Sequence, residues 1–163
     1  MSPTSPRSLF LLAFLASVAI MAGALVLEHY VGLAPCPLCI VQRISLILFG
    51  LVCLVAAVHG PQALGRRLYA LLALLFAGFG AGTAARQIWL QGLPADQLPS
   101  CLPSLEYMLD VLPLQEMVRL LLHGTADCAE VGWTLFGLSV PEWSLLAFAG
   151  LLLLALFQLL RRR

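Results

Sequence analysis

Four long stretches of the chain carry no charged residue and are predominantly apolar. They cover residues 9–27, 44–58, 68–85 and 143–160. The first, third and fourth contain 18 or 19 residues, about the number of helical residues that crosses a hydrocarbon core of roughly 30 Å. The second contains only 15, so its helix must begin earlier, near Pro37. That start places Arg43 inside the first two turns of the helix.

This pattern predicts an all-α fold: an integral membrane four-helix bundle that forms one domain, residues 1–163. We expect spans at about 9–29, 38–58, 68–88 and 143–160, with a long loop at about 90–142. Within the loop, residues 113–124 read "PLQEMVRLLLHG" and repeat apolar residues at three- and four-residue spacing. This stretch is too short to span, so we expect a short helix that lies along the membrane surface.

Composition supports a membrane protein. Hydrophobic residues make up 61% of the chain and charged residues 10%, with a mean hydropathy of +0.99, whereas about a quarter of the residues of a soluble domain are charged. The net charge of +1 gives no indication of a nucleic-acid partner. A chain of 163 residues leaves no room for a second folded domain beside four spans.

The arginines predict the orientation in the membrane. They cluster at the chain ends and in the short second connection, at Arg7, Arg66, Arg67, Arg161, Arg162 and Arg163. The positive-inside rule therefore makes both termini cytoplasmic and the long loop external. All eight acids fall on the external side, with Glu28 interpreted as lying in the turn after the first span. Residues 1–27 are expected to be a retained anchor, because their apolar run is longer than that of a cleaved signal peptide.

Four of the five cysteines face the outside: Cys36, Cys39, Cys101 and Cys128. Thiols in an oxidising compartment are expected to pair, and four cysteines allow three pairings. Cys36 with Cys39 and Cys101 with Cys128 is the natural choice. The fifth, Cys53, lies in the middle of the second span, where a free cysteine behaves as a small apolar residue. We interpret it as part of the core.

The first pair lies in "APCPLCIVQR". With Pro37 as the first helical residue, Cys36 is the N-cap and Cys39 lies in the first turn, where free amides stabilise a thiolate. Arg43 shares this helix face, and a charge inside a membrane commonly marks a functional site. The alternative is that Arg43 extends to the lipid headgroups and the cysteines staple a turn. A Cys-x-x-Cys ring is a poor staple and a common redox unit, which favours function.

The second pair encloses the predicted surface helix and could simply clamp the loop. Yet Cys101 lies between Pro99 and Pro103, in an extended stretch that another protein could pair with and attack through a mixed disulfide. Two disulfides on one membrane face suggest an electron relay. Two other classes stay open: a metal-binding membrane protein that uses the outer cysteines, and a structural subunit with inert disulfides. The three histidines, His29, His59 and His123, are interpreted as surface residues and no metal ligand is assigned.

Four motifs follow one another along the chain. They are "PCPLCIVQR" at the start of the second span, the prolines around Cys101, "DCAEVGW" around Cys128 and "FGLSVPEW" before the last span. Together they resemble the DsbB family, whose members reoxidise the periplasmic thiol oxidant DsbA. The resemblance covers nearly the whole chain in order and spacing.

The resemblance implies a multi-pass protein of the bacterial inner membrane in which Cys101 and Cys128 accept electrons from a DsbA-like, thioredoxin-fold partner. Cys36 and Cys39 would pass them to ubiquinone, or to menaquinone when oxygen is scarce, assisted by Arg43. Some members carry a histidine near the exit of the third span, where this chain reads "WLQG" at 89–92. Members often have an acid before the arginine, where this chain has Gln42, and no large consequence is assigned to that difference.

Overall fold

The structure, a computed structural model, describes residues 5–32, 36–94, 98 and 113–161. Within these ranges the helices are α1 (Pro6–Val31), α2 (Pro37–His59), α3 (Ala63–Gln91), α4 (Leu114–His123) and α5 (Val140–Leu160), and a small antiparallel hairpin pairs β1 (Thr134–Leu135) with β2 (Leu138–Ser139). Among the described helices, α1, α2, α3 and α5 are long and apolar enough to cross a membrane. The predicted all-α, four-span membrane fold is therefore confirmed.

The helices extend beyond the apolar runs that predicted them. Helix α2 starts at Pro37, as predicted, because proline lacks the amide that a first helical residue would leave unpaired. It ends at Gly60, whose φ of 60° is left-handed and suits glycine. Helix α3 gains most, since it includes Arg66 near its start and Arg86 near its end. Charged residues can continue a helix at the membrane boundary, so an uncharged run gives only the minimum length of a span.

The bundle core lies where α3 packs against α5 and α2, and where α1 packs against α2. Phe10, Phe49 and Leu151 are each at most 2% exposed within it. Gly80 of α3 lies against the ring of Phe148 of α5, and a Cβ at that glycine would be only 2.3 Å from Phe148 Cε1. This small residue therefore permits the close approach of the two helices, as small residues at helix interfaces in membranes commonly do.

The segment after residue 112 returns the chain to α5 above one end of the bundle. Helix α4 confirms the predicted short helix, with Pro113 as its N-cap one residue before the first helical position; its placement on a membrane surface stays a prediction. A 3-10 turn, Ala126–Cys128, and the β1–β2 hairpin follow. Ser139 then caps α5 in a reciprocal box with Glu142. We call this end, where α2 begins, the cysteine end of the bundle.

Candidate active site

Two cysteines open helix α2. Cys36 is its N-cap, with an extended backbone (φ −71°, ψ 163°), and Pro37 follows as the first helical residue. The backbone amide of Cys39 donates a hydrogen bond to Cys36 Sγ at 3.4 Å, and the two sulfurs lie 2.9 Å apart. The predicted N-cap is thus confirmed. Both sulfurs lie at the positive end of the helix, where unpaired amides favour a thiolate.

A third cysteine meets this pair from the loop. Cys128 closes the turn Ala126–Cys128, and its side chain is completely buried. It packs with Cys36, Leu38 and Leu90. The fold therefore brings Cys128 to the first pair, a contact that the sequence analysis did not predict.

The interaction between Cys36 and Cys128 shifts the pKa values of the two thiols in opposite directions. Because Cys36 donates to its sulfur, the pKa of Cys128 is lowered to about 6, against the opposing effect of burial and with further help from the backbone of Leu38 and Thr125. The same bond, a second one to Cys39 and burial raise the pKa of Cys36. These opposite shifts favour negative charge on Cys128 rather than on Cys36.

A glutamine from α3 faces the sulfurs of α2. Gln87 Nε2 lies 3.3 Å from Cys36 Sγ and 3.5 Å from Cys39 Sγ. Gln42 Nε2 donates to Gln87 Oε1 at 2.9 Å, and both glutamines are buried. Neither glutamine was predicted to have a role. Each glutamine is a carboxamide in or next to an apolar span. A buried amide requires a hydrogen-bond partner, so this position alone could have indicated a polar contact inside the bundle.

Arg43 lies one helical turn after Cys39 and is paired with an acid of α1. Its Nη1 is 2.5 Å from Glu28 Oε2. The expectation that Glu28 lies in the turn after the first span is wrong, because α1 continues to Val31 and places this carboxylate opposite α2. An arginine in an apolar bundle needs a compensating charge. The position of Glu28 near the end of the neighbouring span could have identified it as the partner of Arg43.

A cavity of about 540 Å³ adjoins the sulfurs. Its polar residues lie towards the cysteine end and include Cys39, Arg43, Gln87 and Gln91. Ile20, Leu46, Phe148 and Leu151 line it further into the bundle. The cavity is therefore an apolar chamber with hydrogen-bond donors gathered at the end where the thiols stand.

The remaining predicted residues fall into two groups. Cys101 lies outside the described residues, so its pairing with Cys128 stays a prediction. Cys53 is 1% exposed and packs in the core, as predicted, and the three histidines are exposed, as predicted. Within the described ranges, no three His, Cys, Asp or Glu side chains are grouped to hold a metal ion.

Comparison with known proteins identifies the family. Residues 6–158 match the family model described as disulfide bond formation protein DsbB. The chain belongs to the DsbB family. The resemblance noted from the four motifs is therefore confirmed, and the DsbB model covers all of the described helices except the last two residues of α5.

Three DsbB-family relatives show how far the similarity extends. Disulfide bond formation protein B of Stutzerimonas stutzeri is 68% identical over 158 residues, and the match covers 97% of each chain. Disulfide bond formation protein B 1 of Pseudomonas aeruginosa is 65% identical, with the same coverage. The protein of Marinobacter nauticus is 50% identical and is matched over 96% of this chain and 93% of its own. These relatives match 96–97% of the chain.

Proposed function

We propose that this chain is a thiol:quinone oxidoreductase that reoxidises a DsbA-like dithiol and passes two electrons to membrane quinone, in support of disulfide bond formation. Its relatives are named for disulfide bond formation. One observation carries the proposal: Cys128 packs against Cys36, whose sulfur is 2.9 Å from that of Cys39. This contact gives thiol–disulfide exchange a direct route from the loop to the membrane pair.

The first exchange uses a Cys101–Cys128 disulfide in the oxidised protein. A thiolate of the reduced partner attacks Cys101, which forms a mixed disulfide and releases Cys128 as a thiolate. Hydrogen bonds from the backbone of Leu38 and Thr125 help to lower the pKa of Cys128 and favour its departure. The partner's second thiolate then attacks the partner's own half of the mixed disulfide and releases Cys101. Two electrons have passed from the partner, now a disulfide, to Cys101 and Cys128.

The second exchange moves these electrons to α2. The Cys128 thiolate attacks Cys36 of a Cys36–Cys39 disulfide, forms a Cys36–Cys128 bond and releases Cys39 as a thiolate. Cys101 then attacks Cys128, which restores the Cys101–Cys128 disulfide and releases Cys36. Cys39 is freed at the helix N-terminus beside the Gln87 amide, where its charge is stabilised.

The cavity beside Cys39 has the chemistry to hold a quinone. Its deeper walls are apolar, which suits a lipid-soluble ring and its tail. The Arg43 guanidinium and the Gln91 carboxamide line its other end and could donate hydrogen bonds to ring oxygens. Gln91 Oε1 already accepts a hydrogen bond from Ser139, which directs its nitrogen end away from that residue. Gln91 is therefore our candidate for the second polar contact to the ring.

Ubiquinone, or menaquinone when oxygen is scarce, would accept two electrons and two protons at this position. We assign Cys39 as the sulfur that gives up the electron pair and Cys36 as the sulfur that closes the disulfide with it. Arg43 would bind the ring and hold positive charge where negative charge develops. Its ion pair with Glu28 keeps the guanidinium at the cavity wall.

This function requires a particular setting. We propose that the chain is a multi-pass protein of the bacterial inner membrane with both termini in the cytoplasm, because six of its nine arginines lie near the chain ends or at the start of α3. The thiol partner would then be a periplasmic protein of the thioredoxin fold. Its active-site cysteine must reach Cys101 in the loop, while the membrane supplies the quinone.

Two other functions predict different measurements. A metal-binding membrane protein would retain zinc on the outer cysteines after purification, and a structural subunit would hold disulfides that do not turn over. Thiols outside the cytoplasm tend to oxidise rather than bind metal. The approach of Cys128 to Cys36 favours exchange over two inert staples.

The test is rapid mixing of purified protein with quinone and a reduced DsbA-like protein, followed by quinone absorbance. We expect Cys39→Ser to abolish quinone reduction, because Cys36, which also lines the cavity, then has no partner thiol with which to form a disulfide and give up an electron pair. Cys53→Ala is the matched control on the same helix, since Cys53 lies in the core, and it should retain the wild-type rate. Equal rates in Cys39→Ser and wild type would refute the role of Cys39.

A further inference from the structure

Two buried amides connect the interior of the bundle to the thiol pair. Gln42 Nε2 donates to Gln87 Oε1 at 2.9 Å. The other end of the Gln87 carboxamide, Nε2, lies 3.3 Å from Cys36 Sγ and 3.5 Å from Cys39 Sγ. Gln42 and Gln87 are 6% and 5% exposed, so neither amide is hydrated from bulk solvent. The chain of contacts therefore runs in one direction, from Gln42 through Gln87 to the sulfurs.

The orientation of the Gln87 carboxamide decides what the sulfurs meet. A carboxamide has a donor end and an acceptor end, and a half-turn about its last bond exchanges them. With Oε1 held by Gln42, the donor end faces both sulfurs and can stabilise negative charge on either one. In the observed arrangement Oε1 also lies 3.6 Å from Cys39 Sγ, as an acceptor for that thiol. With the ends exchanged, Oε1 rather than Nε2 would be the atom nearest to both sulfurs, and an oxygen favours only protonated thiols. Gln42 selects the first arrangement.

The orientation of the Gln87 amide is important because the neighbouring sulfur of Cys36 is buried. Cys36 is 9% exposed and Leu38 beside it is fully buried, so water is largely excluded from the Cys36 sulfur, while Cys39 is half-buried beside the cavity. A charged group without water needs hydrogen-bond donors from the protein. The helix N-terminus supplies one set, and the Gln87 amide adds a donor from a different helix.

We propose that Gln87 stabilises the reduced, negatively charged state of the Cys36–Cys39 pair, and that Gln42 is a positioning residue that fixes the orientation of the Gln87 amide. The proposal rests on the redox role assigned above to the Cys36–Cys39 pair. It adds that the tendency of this pair to accept electrons is set by an amide relay between α2 and α3. Gln42 contributes only through Gln87.

The test compares Gln87→Met, Gln42→Met and the double variant, as full-length proteins equilibrated with mixtures of reduced and oxidised dithiothreitol without added quinone. The redox state of the Cys36–Cys39 peptide is read by alkylation and mass spectrometry. We expect Gln87→Met to shift the equilibrium towards the disulfide about tenfold, which is a potential lower by ~30 mV for a two-electron couple. Gln42→Met should shift it in the same direction by a smaller factor. The double variant should match Gln87→Met alone.

Gln158→Met is the matched control. Gln158 is 3% exposed and lies near the end of α5, at the opposite end of the bundle, so the same substitution there should leave the potential of the pair unchanged. Gln87→Leu replaces Gln87→Met should the latter not fold.

Additive shifts in the double variant, or an unchanged potential in Gln42→Met, would overturn the relay. An unchanged potential in both Gln87 variants would overturn the role of Gln87. A wild-type pair that never forms a disulfide would instead refute the proposed function itself, so the two failures are distinguishable.

Discussion

Arg43 of α2 and Glu28 of α1 form an ion pair, with Nη1 and Oε2 2.5 Å apart, at the wall of the cavity beside the thiols. Their side chains are 24% and 28% exposed, so the pair is neither fully buried nor free in solvent. The carboxylate compensates a charge that an apolar bundle would otherwise disfavour. It also holds the guanidinium close to Cys39, one turn away along α2.

We expect Arg43→His to raise the KM for quinone about tenfold or more, because a charge-assisted hydrogen bond to the ring is worth roughly that factor. The KM for the reduced thiol partner should not change, since the partner is proposed to react in the loop. Steady-state kinetics with each substrate varied in turn measure both constants. A change confined to the thiol partner's KM would show that Arg43 does not face the quinone.

Glu28→Gln should lower the free energy of unfolding by about 2 kcal/mol, the value of a hydrogen bond to a charged group, because Arg43 then loses its compensating carboxylate. Thermal unfolding in detergent measures the change as a lower Tm. Glu130→Gln is the control, since Glu130 also borders the cavity but is exposed, and it should stay within about 0.5 kcal/mol of wild type. Equal Tm values for the two variants would contradict a stabilising pair.

The pH dependence of Cys128 reactivity tests its contact with Cys36. In the reduced wild-type protein the pKa of Cys128 is lowered to about 6, chiefly by the hydrogen bond from Cys36, so its thiolate predominates at pH 7. Cys36→Ala removes that donor, and the pKa should rise towards the ordinary thiol value of about 8.5. Alkylation of Cys128 at pH 7 should then slow about tenfold, because the thiolate fraction falls.

The measurement is the rate of iodoacetamide labelling of Cys128 between pH 5 and pH 9, read by mass spectrometry. Cys53→Ala should leave the rate profile of Cys128 unchanged, since Cys53 lies in the core away from the loop. An unchanged profile in Cys36→Ala would mean that the two sulfurs do not interact in the membrane-embedded protein.

Sequence pattern predicted the features that depend on local spacing. The four spans follow from the length of the uncharged apolar runs. The N-cap role of Cys36 follows from Pro37, and the short helix α4 follows from the spacing of apolar residues between Pro113 and Gly124. The contacts between elements did not follow, because no local pattern says that Gln87 will meet residues 48 and 51 positions earlier. The same holds for the approach of Cys128 to Cys36.

Polar residues inside the spans were nevertheless a usable signal. Gln42, Gln87 and Glu28 are costly in an apolar bundle unless each finds a partner, and in the structure each of them does. Their partners could be named only once the packing of α1, α2 and α3 was known. Composition thus indicates that a polar site exists, and tertiary packing decides its members.

Two glycines of α3, Gly80 and Gly82, differ in the space around them, and this difference tests how closely α3 packs against α5. A Cβ at Gly80 would lie 2.3 Å from Phe148 Cε1, and that ring is 4% exposed within the core. Gly80→Ala should therefore destabilise the protein by about 1–3 kcal/mol through overpacking. Gly82 lies two residues further along the same helix, and a Cβ there would meet nothing within 4 Å.

Gly82→Ala is thus the matched control, and it should be neutral or stabilising by up to ~1 kcal/mol, because alanine favours a helix more than glycine does. Thermal unfolding of the two variants in the same detergent measures the difference in their stability. Both variants gain the same helix propensity, so this gain cancels in the difference. The sign of the difference is the decisive quantity. Were Gly80→Ala as stable as Gly82→Ala, α3 and α5 would have to lie further apart than the contact between Gly80 and Phe148 requires.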